Sequence, residues 1–188
     1  VLAYYGSWLR EVALSSGYGF VDMFGPLNQL TWMRRKTRPK FTMIEDAVHP
    51  GAAGQFVMAY ALLSDMGLRR PLSAIRIVHD ADGKPVANTK GGELTDLAVA
   101  GDEIKFTWLA HGLPYVLPPQ ARVGVQLVQL KRRFTEVLEV HVLPPGRYQL
   151  TIDGKDVGTF SATALERHIE LQANPRTPQY QQALAVAD

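Results

Sequence analysis

The sequence predicts an α/β fold in two parts: an α/β region over residues 1–69 and a mainly antiparallel, β-rich region over residues 70–172. A helical segment, residues 173–188, follows. Two observations predict this division. Before Arg69, apolar residues recur at spacings of three and four, which is typical of helices with one buried face. After Pro71, short alternating or β-branched runs are separated by Gly, Pro and Asp, which is typical of strands.

Helical spacing and turn residues predict three helices and one strand in the first region. Gly17 and Gly67 are expected to end two of the helices, and Pro50 suits the first position of the last one. The predicted elements are a helix over residues 2–16, a strand over residues 18–22, a helix over residues 28–36 and a helix from Pro50 to Gly67.

The β-rich region contains two good hairpin signals, Asp82-Gly83 and Asp153-Gly154. Thr177-Pro178 predicts the start of a final helix over residues 179–187. The predicted strands are residues 74–79, 94–99, 103–109, 124–130, 137–143, 147–152 and 157–160.

Composition excludes several classes of function. Lys and Arg number 20 against 18 Asp and Glu, so there is no electrostatic reason to expect a nucleic acid partner. The chain has no cysteine, which excludes thiol nucleophiles and zinc-thiolate sites. No apolar run approaches the roughly 20 residues that span a bilayer, so no membrane span is predicted.

The motif that carries chemistry is Asp46-Ala-Val-His49, in a loop that runs into the helix at Pro50. Within one turn of loop, the carboxylate can accept from one imidazole nitrogen and leave the other free to take a hydroxyl proton. This pattern predicts a catalytic acid and base at Asp46 and His49. The alternative interpretation is a helix N-terminal cap beside a surface histidine.

Residues 1–68 resemble the last sequence block of SGNH (GDSL-type) hydrolases. The resemblance lies in Asp46-x-x-His49 followed by Pro50 and a glycine-containing helix, and in the preceding Phe20-Val21-Asp22, Gly25-Pro26, Asn28 and Leu30. It implies the C-terminal part of a flavodoxin-like three-layer domain and a serine esterase in which Asp46 and His49 act. The implied substrates are carboxylic esters, with small O-acyl groups on carbohydrate preferred, and no cofactor or metal is implied.

Residues 70–188 resemble a β-rich extension found after the hydrolase domain in some bacterial SGNH proteins. The resemblance implies no catalytic residues there. The residues that carry it are Pro144-Pro-Gly-Arg-Tyr148, Ile152-Asp-Gly154 and Thr177-Pro178-Gln179.

The nucleophile of the family has no match, because the sequence contains no Gly-Asp-Ser block and Gly6-Ser7 lies within a helical pattern. Neither Asn28 nor Asn88 is assigned an oxyanion role. Since the first residue is valine rather than methionine and Leu2-Ala3-Tyr4-Tyr5 already has the pattern of a helix interior, we expect the serine in a missing N-terminal part of the same protein. The printed chain alone is therefore expected to be inactive, and a secreted or periplasmic location is favoured.

Other candidate residues have structural interpretations beside the functional ones. Asp22 is expected to cap a loop. Aromatic side chains could line a sugar or acyl groove but are more often core. The aromatic residues are Trp32, Phe106, Trp108 and Tyr115, and the histidines predicted to be structural rather than metal ligands are His79, His111, His141 and His168.

A second hypothesis for the whole chain is non-enzymatic. In it, the β-rich part is a carbohydrate- or protein-binding module attached to an inactive esterase remnant. A Gly-Asp-Ser block encoded immediately upstream would favour the enzyme.

Overall fold

The computed structural model describes residues 2–68, 71–129 and 134–187. The chain has a mixed α/β fold that divides into two compact units. The first unit contains residues 1–69 and 117–130, and the second contains residues 70–116 and 131–188. In the part of the chain that is described, no helix has the length and apolar character to cross a membrane.

The first unit is helical, and its core forms around Leu27, Met43 and Val57. Helix α4 lies close against α3, because a Cβ added to Gly124 would be 2.6 Å from the carbonyl oxygen of Ala53. The helices of this unit are α1 (Leu2–Ser15), α2 (Phe24–Arg35), α3 (Ala52–Asp65) and α4 (Arg122–Val128), the last preceded by a short 3₁₀ turn (Pro119–Ala121).

Two strands predicted from the sequence are wrong. Residues 18–22 form no strand, and no strand occurs in the described residues of the first unit to pair with them. Residues 122–128 form helix α4 where a strand over 124–130 was predicted, and Leu130 lies outside the described residues. The alternating Val, Gly and Leu of this segment suit a strand, but contact with α3 decides the conformation.

The second unit contains eight strands in its described residues, and the other six predicted strands are present, although the one predicted over 137–143 ends at Val140. Strand β1 pairs antiparallel with β2 and parallel with β5, and β5 pairs antiparallel with β8. Two further antiparallel pairs, β3–β4 and β6–β7, make the unit mainly antiparallel. The strands are β1 (Ser73–His79), β2 (Pro85–Lys90), β3 (Gly92–Ala100), β4 (Glu103–Ala110), β5 (Glu136–Val140), β6 (Arg147–Ile152), β7 (Lys155–Ser161) and β8 (Ile169–Glu170).

Both hairpin signals lie at turns. Asp153 and Gly154 have φ values of 50° and 73°, the left-handed pair that a two-residue hairpin requires, and they join β6 to β7. Asp82-Gly83 lies in the connection between β1 and β2, where Asp80 Oδ1 accepts from the backbone N–H groups of Asp82 and Lys84. The second strand of that hairpin, β2, was not predicted because its composition, Pro-Val-Ala-Asn-Thr-Lys, lacks an apolar alternation.

One apolar core holds the second unit together. The half-buried rings of Phe106 and Trp108 pack against it, so these two aromatic residues have the structural role. Two helices complete the unit, α5 (Ala162–Arg167) and the predicted α6 (Pro178–Ala187). The buried members of the core are Ile75, Ile77, Leu138, Val140, Val142, Val157, Leu165, Ile169 and Leu171.

Candidate active site

The connection between α2 and α3 carries the candidate pair and is held at several points. Met43 is buried in the core of the first unit and anchors the middle of the connection. The Ile44 N–H donates to Thr42 Oγ1 at 3.1 Å, and Arg35 Nε donates to the carbonyl of Phe41 at 2.7 Å. These bonds satisfy backbone groups that a strand or helix would otherwise pair, so the loop has one defined path.

Two glycines let this loop lie against the first turn of α3. The Gly51 N–H donates to the Met43 carbonyl at 2.9 Å. A Cβ on the buried Gly54 would lie 2.9 Å from that same carbonyl oxygen and 3.0 Å from Pro50 Cβ. Helix α3 begins at Ala52 with Gly51 as its cap, so Pro50 precedes the helix and does not occupy the predicted first helical position.

Asp46 and His49 meet directly. Asp46 Oδ1 accepts from the backbone N–H of Val48 at 2.9 Å and of His49 at 2.7 Å. Asp46 Oδ2 lies 2.6 Å from His49 Nδ1. Between them Ala47 adopts φ 64°, a left-handed conformation that costs on the order of 1 kcal/mol for a residue with a Cβ. Both carboxylate oxygens of Asp46 therefore bond within the turn, Oδ1 to the backbone and Oδ2 to the imidazole.

The hydrogen bonds also set the charge of the pair. The backbone N–H of His49, the imidazole of His49 and the backbone N–H of Val48 together lower the pKa of Asp46 from 3.8 to about 2. Because Asp46 is ionised at neutral pH, Nδ1 is the donor in this pair, and Nε2 is the nitrogen that can accept a proton. This is the arrangement that a general base requires.

The imidazole opens to solvent. The side chain of His49 is 82% exposed, and no hydroxyl group in the described residues bonds to its Nε2. Ser7 and Ser15 donate their hydroxyls to carbonyls of their own helix, at 3.0 and 3.1 Å. The described chain thus presents an oriented acid and base without a nucleophile in contact.

A shallow pocket of about 230 Å³ adjoins the loop at Ala47, on the side of α2. Thr42 and Arg35 line it, and so does Asn28, whose amide donates to the Phe24 carbonyl at 2.8 Å. The Asn28 side chain is therefore engaged in its own helix. Asp22 has the predicted loop-cap role, since its Oδ1 accepts from the Gly25 N–H at 2.8 Å.

The remaining histidines are dispersed through the second unit. His141 Nε2 lies 2.6 Å from Glu139 Oε1, which also accepts from Arg76 Nε at 2.8 Å. His111 and His168 lie 3.9 and 3.7 Å from single glutamates. Within residues 2–68, 71–129 and 134–187, no group of three His, Asp or Glu side chains is placed to hold a metal ion.

The aromatic residues considered for a sugar or acyl groove belong to different units of the chain. Trp32 belongs to the first unit, where the Lys36 ammonium lies 3.9 Å from the centroid of its exposed ring. Tyr115 belongs to the second unit and is half-buried, and burial together with the nearby Glu170 raises its pKa to about 12. Sequence reasoning missed Met43 and Gly54 as the residues that position the loop. The Gly51-Ala-Ala-Gly54 spacing was the available signal.

No family model matches the sequence, and no curated protein matches it. One solved structure that is similar to this chain is described as a gut microbial diltiazem-metabolizing enzyme. It shares 29% sequence identity with a TM-score of 0.80, over 96% of this chain and 43% of that enzyme. The chain therefore spans less than half the length of this neighbour, and the similarity extends over both units.

Proposed function

We propose that this chain is the C-terminal part of a serine esterase of the SGNH type that hydrolyses carboxylic esters, with small O-acyl groups on carbohydrate as the preferred substrates. The observation that carries the proposal is the 2.6 Å contact between Asp46 Oδ2 and His49 Nδ1 on a defined loop, with Nε2 open to solvent. An ionised carboxylate on one ring nitrogen and a free second nitrogen is the arrangement of an acid–base pair in acyl transfer.

In the proposed reaction, a serine hydroxyl supplied by the rest of the hydrolase domain attacks the ester carbonyl. His49 Nε2 accepts the hydroxyl proton and then donates it to the alkoxide leaving group, which departs as the alcohol. Water repeats the sequence on the acyl-serine and releases the carboxylic acid. Asp46 holds the imidazole in one tautomer and stabilises its cation throughout.

The comparison supports ester hydrolysis. The similar solved structure is described as an enzyme that metabolizes diltiazem, and diltiazem is itself an ester. The preference for carbohydrate esters depends on the SGNH resemblance of residues 1–68, and acetylated oligosaccharides and diltiazem are the two substrates to compare.

The test uses the longer polypeptide that includes the region encoded upstream of Val1. We expect His49→Ala to lower kcat/KM for p-nitrophenyl acetate by at least roughly 10³-fold, because the general base is lost. The matched control is His141→Ala, which removes an imidazole with the same 2.6 Å carboxylate contact from the second unit. Normal turnover by a folded His49→Ala variant would exclude His49 from the mechanism.

The 188-residue chain alone is expected to hydrolyse p-nitrophenyl acetate near background. Each missing oxyanion donor costs roughly 10²- to 10³-fold, in addition to the missing nucleophile. Saturable turnover by this chain, abolished by His49→Ala, would contradict an external serine and would direct attention to Ser16 and Ser64.

A further inference from the structure

Helix α1 has an apolar face that the rest of the first unit leaves uncovered. Its large apolar side chains recur at spacings of three and four residues, so they lie side by side on one side of the helix. Trp8 and Leu9 are each 52% exposed, and Tyr4 is 75% exposed. This surface, called here the α1 face, consists of Tyr4, Tyr5, Trp8, Leu9 and Val12.

No residue of α1 whose burial is described is buried, and no other element of the first unit packs extensively against the helix. A helix of this length is marginal in water by itself, because helices in proteins are stabilised by packing of their apolar face. Exposed contiguous apolar patches also mark sites of protein contact. The α1 face therefore has the character of a contact site.

We propose that the α1 face docks against the polypeptide that carries the serine nucleophile, namely the rest of the same hydrolase domain. This inference rests on the proposed function and names the partner of that site. Two observations identify this occupant. His49 Nε2 faces solvent without a nucleophile, and the similar solved structure is more than twice as long as the part that this chain matches.

Other occupants fit the α1 face less well. A lipid surface favours helices with several Lys or Arg on the polar face, whereas the polar side of α1 carries only Arg10 and Glu11 as charged residues. A second copy of this chain could cover the α1 face, but it would bring no Gly-Asp-Ser block to His49.

The absence of cysteine from this chain allows a site-specific test. Leu9→Cys places one thiol on the α1 face, and the matched control Arg10→Cys places one on the exposed polar side. Both are made in the 188-residue chain and in the longer polypeptide that includes the upstream region. The rate of maleimide labelling at each position is measured by peptide mass spectrometry.

In the 188-residue chain, we expect the two positions to be labelled at similar rates. In the longer polypeptide, labelling at Leu9→Cys should slow by at least about 100-fold, because a docked thiol reacts only when the contact opens. Labelling at Arg10→Cys should stay within roughly threefold of its rate in the shorter chain. Val12→Cys repeats the measurement if Leu9→Cys does not fold.

Rapid labelling of Leu9→Cys in the longer polypeptide would overturn the proposal. So would protection in the 188-residue chain that increases with its concentration, which would identify a second copy, or protection only with vesicles of phosphatidylcholine and phosphatidylserine. Protection of Leu9→Cys in a longer polypeptide that shows no His49-dependent ester hydrolysis would support docking of the α1 face and reject the proposed esterase. His49-dependent hydrolysis without protection of Leu9→Cys would support the esterase and reject the docking.

Discussion

The two units differ in how much of their apolar surface they bury. In the second unit, nine buried side chains form one continuous core around β1 and β5. In the first unit, the corresponding cluster has three buried members, Leu27, Met43 and Val57, while Trp8, Trp32 and many other large apolar side chains are exposed. The second unit thus has an extended apolar core, whereas the first has a small core and exposes apolar surface of the kind that marks sites of protein contact.

The two histidine–carboxylate pairs give a second comparison. Asp46–His49 and Glu139–His141 have the same 2.6 Å separation. Glu139, however, also accepts from Arg76, and its histidine uses Nε2 for the contact. Among the residues that the structure describes, the carboxylate of Asp46 bonds to no side chain other than His49, and it bonds to Nδ1. The other ring nitrogen of His49, Nε2, therefore stays exposed. The two pairs thus share a short contact and differ in which imidazole nitrogen makes it and in how exposed the histidine is.

The largest expected effect tests the difference in burial. Ile77 is fully buried in β1, so Ile77→Ala should lower the free energy of unfolding by about 2–5 kcal/mol through lost burial and a residual cavity. Leu9→Ala in the exposed α1 face should change it by less than about 0.5 kcal/mol in the 188-residue chain. Urea denaturation followed by circular dichroism measures both. Equal losses would show that α1 is packed as tightly as β1.

A pair of glycine substitutions sharpens the contrast within the first unit. Gly54→Ala forces a Cβ against the Met43 carbonyl, so we expect a loss of about 1–3 kcal/mol and a displaced Asp46–His49 loop. Gly6→Ala in α1 meets open space and should gain up to about 1 kcal/mol from helix propensity. Thermal unfolding and the His49 ring resonances report the two effects. A silent Gly54→Ala would show that the loop does not need its contact with α3.

The smallest effect concerns the titration of two carboxyl groups. The hydrogen bonds of Asp46 lower its pKa from 3.8 to about 2. Their contribution to the free energy of unfolding is therefore complete above pH 3.8 and is lost as the pH falls through 2. Burial of Glu136 raises its pKa to about 7, so its contribution is complete below its unfolded value of 4.5 and is lost as the pH rises through 7.

Carboxyl ¹³C resonances measured against pH give both midpoints. Glu136→Gln should flatten the decline of stability between pH 4.5 and 7, and Asp156→Asn, on the same unit, is a control with an exposed carboxyl group. A Glu136 midpoint near that of an exposed glutamate would show that water reaches this carboxyl group and would weaken the contrast between the units.

Sequence alone determined the features that depend on residues close together in the chain. The Asp46-x-x-His49 contact follows from a turn that four consecutive residues form by themselves, and the Asp153-Gly154 hairpin follows from two residues that tolerate positive φ. Helical and strand periodicities located most elements for the same reason.

Tertiary structure decided the features in which distant segments compete. Residues 122–128 alternate like a strand but form a helix because Gly124 allows close contact with α3. The apolar pattern of residues 18–22 predicts a strand, but the described part of their unit contains no other strand that could pair with them. Because a strand is stable only when its backbone groups are paired, these residues form none. The parallel pairing of β1 with β5 and the position of Met43 beneath the loop likewise depend on contacts between residues far apart in sequence, whose energies no local pattern contains.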